Sequence, residues 1–585
     1  MTVKDNKTKS AKVILQPTQV VVEGGSLLAI MGRSGSGKTT LLNSLSGRTH
    51  ANKLEGVVKF DGKLLNWKER KKLMSYVAQE DTLMGVFTVK ETLWYAAAFH
   101  YGMKVPEGVV ENALDVMGLS NVSDTVVGDI FRKGISGGQK RRLSIAVELI
   151  SGPEVLFLDE PTSGLDSASA LAVISHLRKL AVRMNCAIIS TIHQPSSKVW
   201  GLFDQFMLMS AGRTLYFGPA NQVIPYMSQQ GYECPMYTNP ADFLLDLVNT
   251  DFSDDQKLIV DKLAEAFKVP NASSNISVLV MDNVEDTTKE EETAKEDGAP
   301  EHQLLPATDG QTGMRMLMSH FLILSHRNLW NNVKNPGIYW VRFFMYVALS
   351  LVIGLMYLNL GDDYGPKAVN SRINVLFFVA AFLVFMSVAV LPFFIQERAV
   401  FLRERTNGAY GTFTYVISNF LCSLPGLFII SLFSTICVVL LSGLNGFGVY
   451  LLTLFVALVA AESFCALIAS LVPHFIVGIA LAAGVFGFFM LCEGFFIVKS
   501  EIPGWFIWGY YIAFHSYAFR TFMYNEFHTI SNFTGGSFTS GDDVLAFYDM
   551  QDVVVYQDIL TVLAFAVLFQ ILFALVLYFF HRGKV

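Results

Sequence analysis

The sequence predicts two kinds of fold in one chain: an α/β P-loop ATPase domain, followed by an all-α domain with six membrane spans. The first prediction rests on the run Gly-Arg-Ser-Gly-Ser-Gly-Lys-Thr at residues 32–39. That run stands between a strand-like apolar stretch at 27–31 and a helix-like pattern at 40–45. The second prediction rests on composition. With 52% hydrophobic residues, 47 Phe and a mean hydropathy of +0.41, the chain is too apolar for a soluble ATPase.

A glycine-rich loop between a strand and a helix suits a nucleotide phosphate. Its glycines allow a tight turn whose backbone N–H groups point at phosphate oxygens, and the helix N-terminus that follows favours anions. Lys38 is placed to reach the β- and γ-phosphates, and the Thr39 hydroxyl to bind Mg²⁺. Taken alone, the loop predicts ATP or GTP binding. The predicted phosphate-binding residues are Gly32, Arg33, Ser34, Gly35, Ser36, Gly37, Lys38, Thr39 and Thr40.

Further polar motifs follow strand-like runs. The apolar run at 155–158 ends in Asp159 and Glu160. Carboxylates at such a strand end suit magnesium ligation by Asp159 and activation of the attacking water by Glu160 as general base. Gln79 follows another strand-like run, and so does His193.

Together these motifs resemble those of the ATP-binding-cassette ATPases. The glycine-rich loop resembles the Walker A motif of that family, and Asp159 and Glu160 resemble its Walker B pair. Gln79 stands at the position of the Q-loop, Asp166 at that of the D-loop and His193 at that of the switch histidine. The signature motif is matched by Ser136, Gly137, Gly138 and Gln139.

The resemblance implies ATP and Mg²⁺ as ligands and a dimer of cassettes in which the signature of one subunit caps the γ-phosphate held by the other. Glu160, His193 and Gln79 are then the catalytic residues, and Thr39, Gln79 and Asp159 the magnesium ligands. Val13 and Ile14 are the candidates for apolar packing at adenine.

Six apolar segments of the second half are long enough to cross a bilayer, which takes about 20 residues. They lie at 343–360, 373–395, 416–441, 450–472, 475–498 and 559–580. An apolar face at helical spacing over 314–333 predicts an interfacial helix that lies on the membrane. The segment 282–301 holds nine acids and two lysines, which is typical of a disordered linker. We therefore divide the chain into a nucleotide-binding domain (1–250), an acidic linker (251–312) and a transmembrane domain (313–585).

The distribution of charge predicts the orientation of the spans. Basic residues precede the first span (Arg327, Lys334 and Arg342), follow the second and end the chain, whereas the loop at 499–558 has seven acids and two bases. The positive-inside rule then places both termini in the cytoplasm and that loop outside. Within it, Asn532 is the predicted glycosylation site. No cysteine lies in the loop, so we expect no disulfide there.

A cassette that precedes its membrane domain resembles the White or ABCG subfamily of half-transporters. Three local motifs are similar to that subfamily: Asn-Pro-Ala-Asp-Phe at 239–243, Glu-Arg-Ala-Val-Phe at 397–401 and Asn-Glu-Phe at 525–527. The resemblance implies ATP-driven export of a lipophilic or amphipathic substrate by two half-transporters. It leaves open a homodimer or a heterodimer of the pigment-precursor type, and a plasma or vesicle membrane. A non-transporting, ATP-gated regulator is the alternative, and no nucleic-acid partner is expected.

The same resemblance implies a substrate cavity where two bundles meet. The matching positions are Phe382 and Phe385 in the second span and Gly487 and Met490 in the fifth. Phe495 and Phe496 stand where relatives carry an apolar pair that plugs the exit. Ordinary packing or lipid-facing aromatics are the alternative for all of them. Two acids are further candidates, because charges inside spans are costly. For Glu462 we expect a hydrogen bond between helices. For Glu493 a headgroup-level position is the alternative to a functional one.

Overall fold

The computed structural model describes residues 2–4, 11–49, 57–65, 67–129, 132–249, 254–267, 313–365, 367–534 and 538–581. It divides into two compact units. The first comprises Met1–Met316 with Arg403–Ala409, and the second Leu317–Leu402 with Tyr410–Arg582.

A six-stranded sheet organises the first unit. In chain order its strands are β3 (Leu27–Gly32), β6 (Met74–Val77), β7 (Val155–Leu158), β8 (Ala187–Thr191), β9 (Gln205–Ser210) and β10 (Arg213–Pro219). Their spatial order is β10-β9-β3-β8-β7-β6, and all neighbours are parallel except the edge pair β9 and β10. Two short antiparallel pairs stand apart, β1 (Thr2–Lys4) with β2 (Ala11–Val13) and β4 (Lys59–Phe60) with β5 (Lys63–Leu64).

Helices cover the sheet, as expected for parallel strands, which are buried on both faces. They are α1 (Lys38–Leu45), α2 (Trp67–Leu73), α3 (Val89–Tyr101), α4 (Val109–Val116), α5 (Gly137–Leu149), α6 (Ser167–Met184), α7 (Ser197–Trp200), α8 (Val223–Gln229), α9 (Pro240–Leu247) and α10 (Asp254–Ala266). The strand β3 contributes alternate residues to the two hydrophobic cores, Leu27 and Ala29 to one and Leu28 and Ile30 to the other. The carboxyl ends of the parallel strands therefore share one edge, where open α/β sheets bind ligands.

Helix α10 differs from the prediction, which placed a linker from residue 251. Its residues Val260 and Leu263 are buried in the same hydrophobic core as α5 and α6, and Asp261 accepts from the Arg213 guanidinium on β10 at 2.6 Å. A short apolar stripe in a charged segment thus extends the folded cassette to α10. The acidic segment 282–301 lies outside the described residues.

The second unit is helical. Its helices are α11 (Gly313–Lys334), α12 (Val341–Met356), α13 (Ala368–Phe378), α14 (Leu391–Asn407), α15 (Thr412–Thr435), α16 (Phe447–Leu471), α17 (Phe475–Cys492), α18 (Trp508–Ile512), α19 (Phe514–Phe527), α20 (Gly541–Phe547) and α21 (Val555–Phe580). Short π and 3-10 segments join several of them.

Six helical stretches of the described chain are long and apolar enough to cross a membrane, as predicted. They are Pro336–Asp362, Ala368–Asn407, Thr412–Leu440, Phe447–Leu471, Phe475–Cys492 and Val555–Phe580. The helix expected at 314–333 is α11. The most enclosed span is α16, in which 83% of the most apolar 18-residue stretch is buried.

Two of the basic residues that precede the first predicted span make buried contacts inside this unit. Arg342 Nη2 lies 2.9 Å from Glu462 Oε2 of α16, and both side chains are buried. Arg327 is buried as well, with its guanidinium 3.3 Å from the Tyr410 hydroxyl. Both arginines therefore contact polar side chains from other segments of this unit. The interhelical contact expected for Glu462 is this ion pair.

Candidate functional site

A cavity of about 770 Å³ in the first unit lies at the carboxyl ends of the parallel strands. It brings together most of the predicted nucleotide residues, including those after β3, β6, β7 and β8. The predicted residues that line it are Ser34, Gly35, Gly37, Lys38, Thr39, Thr40, Gln79, Glu160 and His193, together with Ile14. Of the two candidates for adenine packing, Ile14 lines the cavity, whereas Val13 is 59% exposed.

The phosphate loop adopts the tight backbone that its glycines predicted. A Cβ on Gly32 would lie 2.2 Å from the Met209 carbonyl oxygen, so only glycine fits there. Gly37 precedes α1 with φ 98°. The Lys38 ammonium donates to the carbonyl oxygens of Gly32 and Arg33 at 2.7 and 2.9 Å, which holds it over the loop. Burial lowers the pKa of Lys38, and the nearby carboxylates of Glu160 and Asp159 oppose that shift.

The Asp159 carboxylate lies beside the Thr39 hydroxyl, as a magnesium site requires. Thr39 Oγ1 is 3.2 Å from Asp159 Oδ1. Adjacent ligands of octahedral Mg²⁺ are about 3 Å apart, because each bond is about 2.1 Å long. The donor set therefore fits the ion, which when bound would neutralise phosphate charge. Thr191 Oγ1 donates to the same Oδ1 at 2.7 Å and the Tyr76 hydroxyl to Oδ2 at 3.4 Å, so β6 and β8 orient the carboxylate.

Glu160 is held at the cavity by its backbone and by Gln79. Its φ is 46°, the left-handed region that few non-glycine residues adopt. Its N–H donates to Thr191 Oγ1 at 2.8 Å, and Gln79 Nε2 donates to Glu160 Oε2 at 2.8 Å. Two of the three predicted catalytic residues therefore contact each other directly.

Arg141 is a site residue that the sequence analysis missed. Its guanidinium is 3% exposed and donates to the carbonyl oxygens of Ala78 (2.6 Å) and Asp159 (2.8 Å) and to the Asp81 carboxylate (3.0 Å). It therefore ties the segment that carries Gln79 to the one that carries Glu160. The only local signal is its place in a Lys-Arg-Arg run after the signature, which is more typical of a solvated helix face.

The signature residues do not line the cavity, although all of them are described. Ser136 caps α5, where its hydroxyl accepts from the Gln139 N–H at 3.3 Å, and Gln139 Oε1 accepts from the Ser136 N–H at 2.8 Å. The result is an ordered helix N-terminus suited to an anion. Asp166 caps α6 in the same way, and its accepted hydrogen bonds, led by that from the Ser169 N–H, lower its pKa.

In the second unit, ring contacts join the predicted substrate residues of the second span to Phe486 of the fifth span, which precedes the predicted residue Gly487. The rings of Phe382 and Phe385 are 6.2 Å apart, and that of Phe385 is 6.4 Å from Phe486 of α17. Around them the second span departs from α-helix, with a π segment at Val379–Leu383 and a 3-10 segment at Met386–Val390. Such irregular turns are frequent at functional sites.

Two of the predicted cavity positions have open space beside them. Phe382 is 40% exposed, and a Cβ on Gly487 would meet no atom within 4 Å. Phe385 and Met490 are half-buried.

The predicted gate residues pack on aromatic rings of the same unit. The Phe495 ring stacks on Phe377 at 4.0 Å, and Phe496 meets the same ring edge-on at 5.2 Å. Glu493, just before them, is fully buried rather than at the surface. Asn532 is exposed, as a glycosylation acceptor must be. All six cysteines are free.

Family models match both parts of the chain. One described as ABC transporter matches residues 15–163, and one described as ABC-2 type transporter matches residues 319–527. A second model of the latter description matches residues 193–347.

Similar proteins extend over most of the chain. ABC transporter G family member 11 of Arabidopsis thaliana is 37% identical, over 92% of this chain and 78% of the relative. ABC transporter G family member 1 of Petunia hybrida is 33% identical, over 97% of this chain and 89% of the relative. The chain therefore belongs to the ABC transporter G family, as a multi-pass membrane half-transporter whose cassette hydrolyses ATP to drive transport.

Proposed function

We propose that this protein exports a lipophilic or amphipathic compound as a dimer, with both termini and the cassettes on the cytoplasmic side. The observation that carries the dimer is the position of Ser136 and Gln139. They form an ordered anion-binding helix N-terminus, yet they lie outside the cavity that holds Lys38, Thr39 and Glu160 of the same chain. A second cassette supplies the missing half of each site.

Within each site the residues have distinct roles. Lys38 and the loop amides bind the β- and γ-phosphates, and Thr39 and Asp159 ligate Mg²⁺, with Gln79 beside them. Glu160 accepts a proton from the attacking water. His193 lines the cavity after β8. In the proposed dimer it would contact the γ-phosphate, and Ser136 of the partner cassette would donate to the same phosphate.

The proposal for the substrate rests on the side chains at the predicted cavity positions of the second unit. Phe382, Phe385, Met490 and Gly487 offer aromatic and thioether surface without a charged side chain among them. Aromatic faces suit a rigid apolar ligand and methionine adapts to varied shapes. A homodimer suffices, because one chain carries both halves of the ATP site.

Complementation between two inactive variants tests the dimer. Lys38→Met removes the phosphate lysine and Ser136→Arg blocks the signature, so each purified alone should lack ATPase activity. The two variants are then co-expressed with different tags, and the mixed dimer is purified through both tags. One of its two ATP sites contains neither substitution. Recovery of about half the ATPase activity of the wild-type dimer supports the shared site, because one of the two sites is intact, and no recovery contradicts it.

Reconstitution tests export. Proteoliposomes that contain the full chain should move a fluorescent lipid or a lipophilic dye upon addition of ATP, and those with Glu160→Gln should not. ATPase activity without movement of any compound favours the regulator instead. Wild-type activity that appears only after co-purification with another half-transporter favours the heterodimer.

A further inference from the structure

Two buried ionisable side chains of the second unit have no hydrogen-bond partner in the described part of the chain. They are Glu493, which follows α17, and His515, in the first turn of α19. Both are 0% exposed, and both carboxyl oxygens and both ring nitrogens lack a partner there. A buried polar group without a partner costs free energy, so native structures rarely keep one without a reason.

The other buried acids nearby are paired. Glu526 of α19 accepts from Arg372 at 2.9 Å and from the Asn445 N–H at 2.7 Å. Asp558 accepts from Arg520 at 2.8 Å. The unit therefore satisfies its buried carboxylates where it uses them structurally, and Glu493 is an exception.

Glu493 and His515 lie at the same junction between α17 and α19. The His515 ring is 5.7 Å from that of Phe489, and Glu493 follows Phe489 by one helical turn, on the same side of the helix. The Ser516 hydroxyl donates to the Cys492 carbonyl oxygen at 3.3 Å, which joins the residues next to each of the two groups.

The surroundings keep both groups uncharged. Phe486 and Phe514 also contact the His515 ring, with centroids 5.5 and 4.4 Å away. Burial lowers the pKa of His515 to about 3. A carboxyl group in such surroundings without a counter-ion is likewise held neutral. A neutral carboxyl and a neutral imidazole each offer one donor and one acceptor, which complements an alcohol better than an ion.

The junction also adjoins the aromatic pair at the exit. Glu493 precedes Phe495 by two residues, and the Phe495 ring is 6.2 Å from Phe519, one turn along α19 from His515. The two polar groups therefore lie close to the aromatic pair in the chain and in the packing of α19.

We propose that Glu493 and His515 form a recognition site for an uncharged hydrogen-bonding group, such as a hydroxyl, on the exported compound. The inference rests on the proposed export of an amphipathic compound and specifies the part of it that is recognised. A hydroxyl that enters the junction supplies the missing partners, whereas an apolar analogue leaves them unpaired. Sites of this kind discriminate strongly against the analogue that lacks the polar group.

The test compares matched probes on the full chain in lipid nanodiscs. The probes are hexadecanol against hexadecane and cholesterol against cholestane, and the readout is the concentration that gives half-maximal stimulation of ATP hydrolysis. We expect the wild type to respond to the alcohols at about tenfold lower concentration than to the hydrocarbons, a difference of about 1.4 kcal/mol. Glu493→Leu and His515→Phe should each remove most of that preference, and Glu493→Gln, which keeps a donor and an acceptor, should retain it.

A thermal unfolding measurement separates recognition from structural support. Replacing an unpaired polar group by an apolar one should leave the midpoint unchanged or raise it. A preference that persists in both apolar variants, or one that Glu493→Gln also loses, overturns this site and leaves the proposed export intact. A wild type that no probe stimulates and that moves no lipid in proteoliposomes overturns both.

Discussion

The acidic side chains at the nucleotide cavity of the first unit have hydrogen-bond partners, whereas two ionisable side chains at the junction of α17 and α19 in the second unit have none in the described residues. At the cavity, Asp159 accepts from Thr39, Thr191 and Tyr76, and Glu160 accepts from Gln79. At the junction, Glu493 and His515 have no partner in the described chain. The difference follows from what each site must do.

Catalysis benefits from groups that are oriented before the substrate arrives, because no reorganisation is then needed in the transition state. Selection of a transported compound instead needs groups whose partner is the compound itself. The side chains of the cavity are thus oriented within one chain, whereas the two polar groups of the junction lack partners in the described residues. Substitutions in the cavity should therefore affect ATP hydrolysis, and substitutions along the transport path should affect the response to the compound.

The largest expected effect is that of Glu160→Gln. The amide keeps the size of the side chain but cannot accept the proton of the attacking water. We therefore expect turnover to fall about 10²–10⁴-fold while ATP binding is retained. Turnover by the purified protein and binding of a fluorescent ATP analogue measure the two quantities. Unchanged turnover would remove Glu160 from its proposed role.

Arg141→Met should have the next largest effect. The change removes the guanidinium that holds the backbone of Ala78 and of Asp159, so several carbonyl oxygens lose a charged donor. We expect a loss of roughly 2–4 kcal/mol in stability, with slower ATP hydrolysis. Arg142→Met is the matched control, because Arg142 donates to Met117 and Gly118 away from the cavity. Equal effects of the two variants would contradict the role of Arg141 in holding the two segments together.

Arg141 also illustrates where sequence reasoning stops. The phosphate loop and the paired acids were predictable because each motif is local and sits between recognisable strand and helix patterns. Arg141 carries no such pattern, and only the packing of α5 turns it toward the sheet. The ion pair between Arg342 and Glu462 was not predictable for the same reason, since the two residues are distant in sequence. Most span limits were predictable within about seven residues because hydropathy is itself local. The exception is the end of the second span, predicted at 395, because its helix continues through polar residues to Asn407.

Phe385→Ala tests the apolar side of the transport path. The ring contacts those of Phe382 and Phe486, which join the second and fifth spans. Loss of an aromatic contact surface should cost about 1.5–3 kcal/mol of substrate binding, a tenfold or greater rise in the half-stimulating concentration. Basal hydrolysis should stay the same. Phe428→Ala, an exposed aromatic of α15, is the control. Stimulation that survives in Phe385→Ala places the cavity elsewhere.

The smallest expected effect concerns pH and His515. Burial lowers the pKa of this ring from 6.5 to about 3, so the unfolded chain binds a proton near pH 6 that the folded chain does not. Stability must then rise with pH across this range and fall on acidification. Between pH 7.5 and pH 6.0 this residue accounts for a loss of about 1 kcal/mol.

His515→Phe should remove that part of the loss, because phenylalanine has no proton to bind. Thermal midpoints of the full chain at the two pH values, for wild type and variant, measure the difference. A wild type no more sensitive to acid than the variant would mean that the ring is protonated or paired in the folded state. The proposed recognition of an alcohol by a neutral imidazole at the junction would then be wrong. The conclusions about the nucleotide cavity would be unaffected.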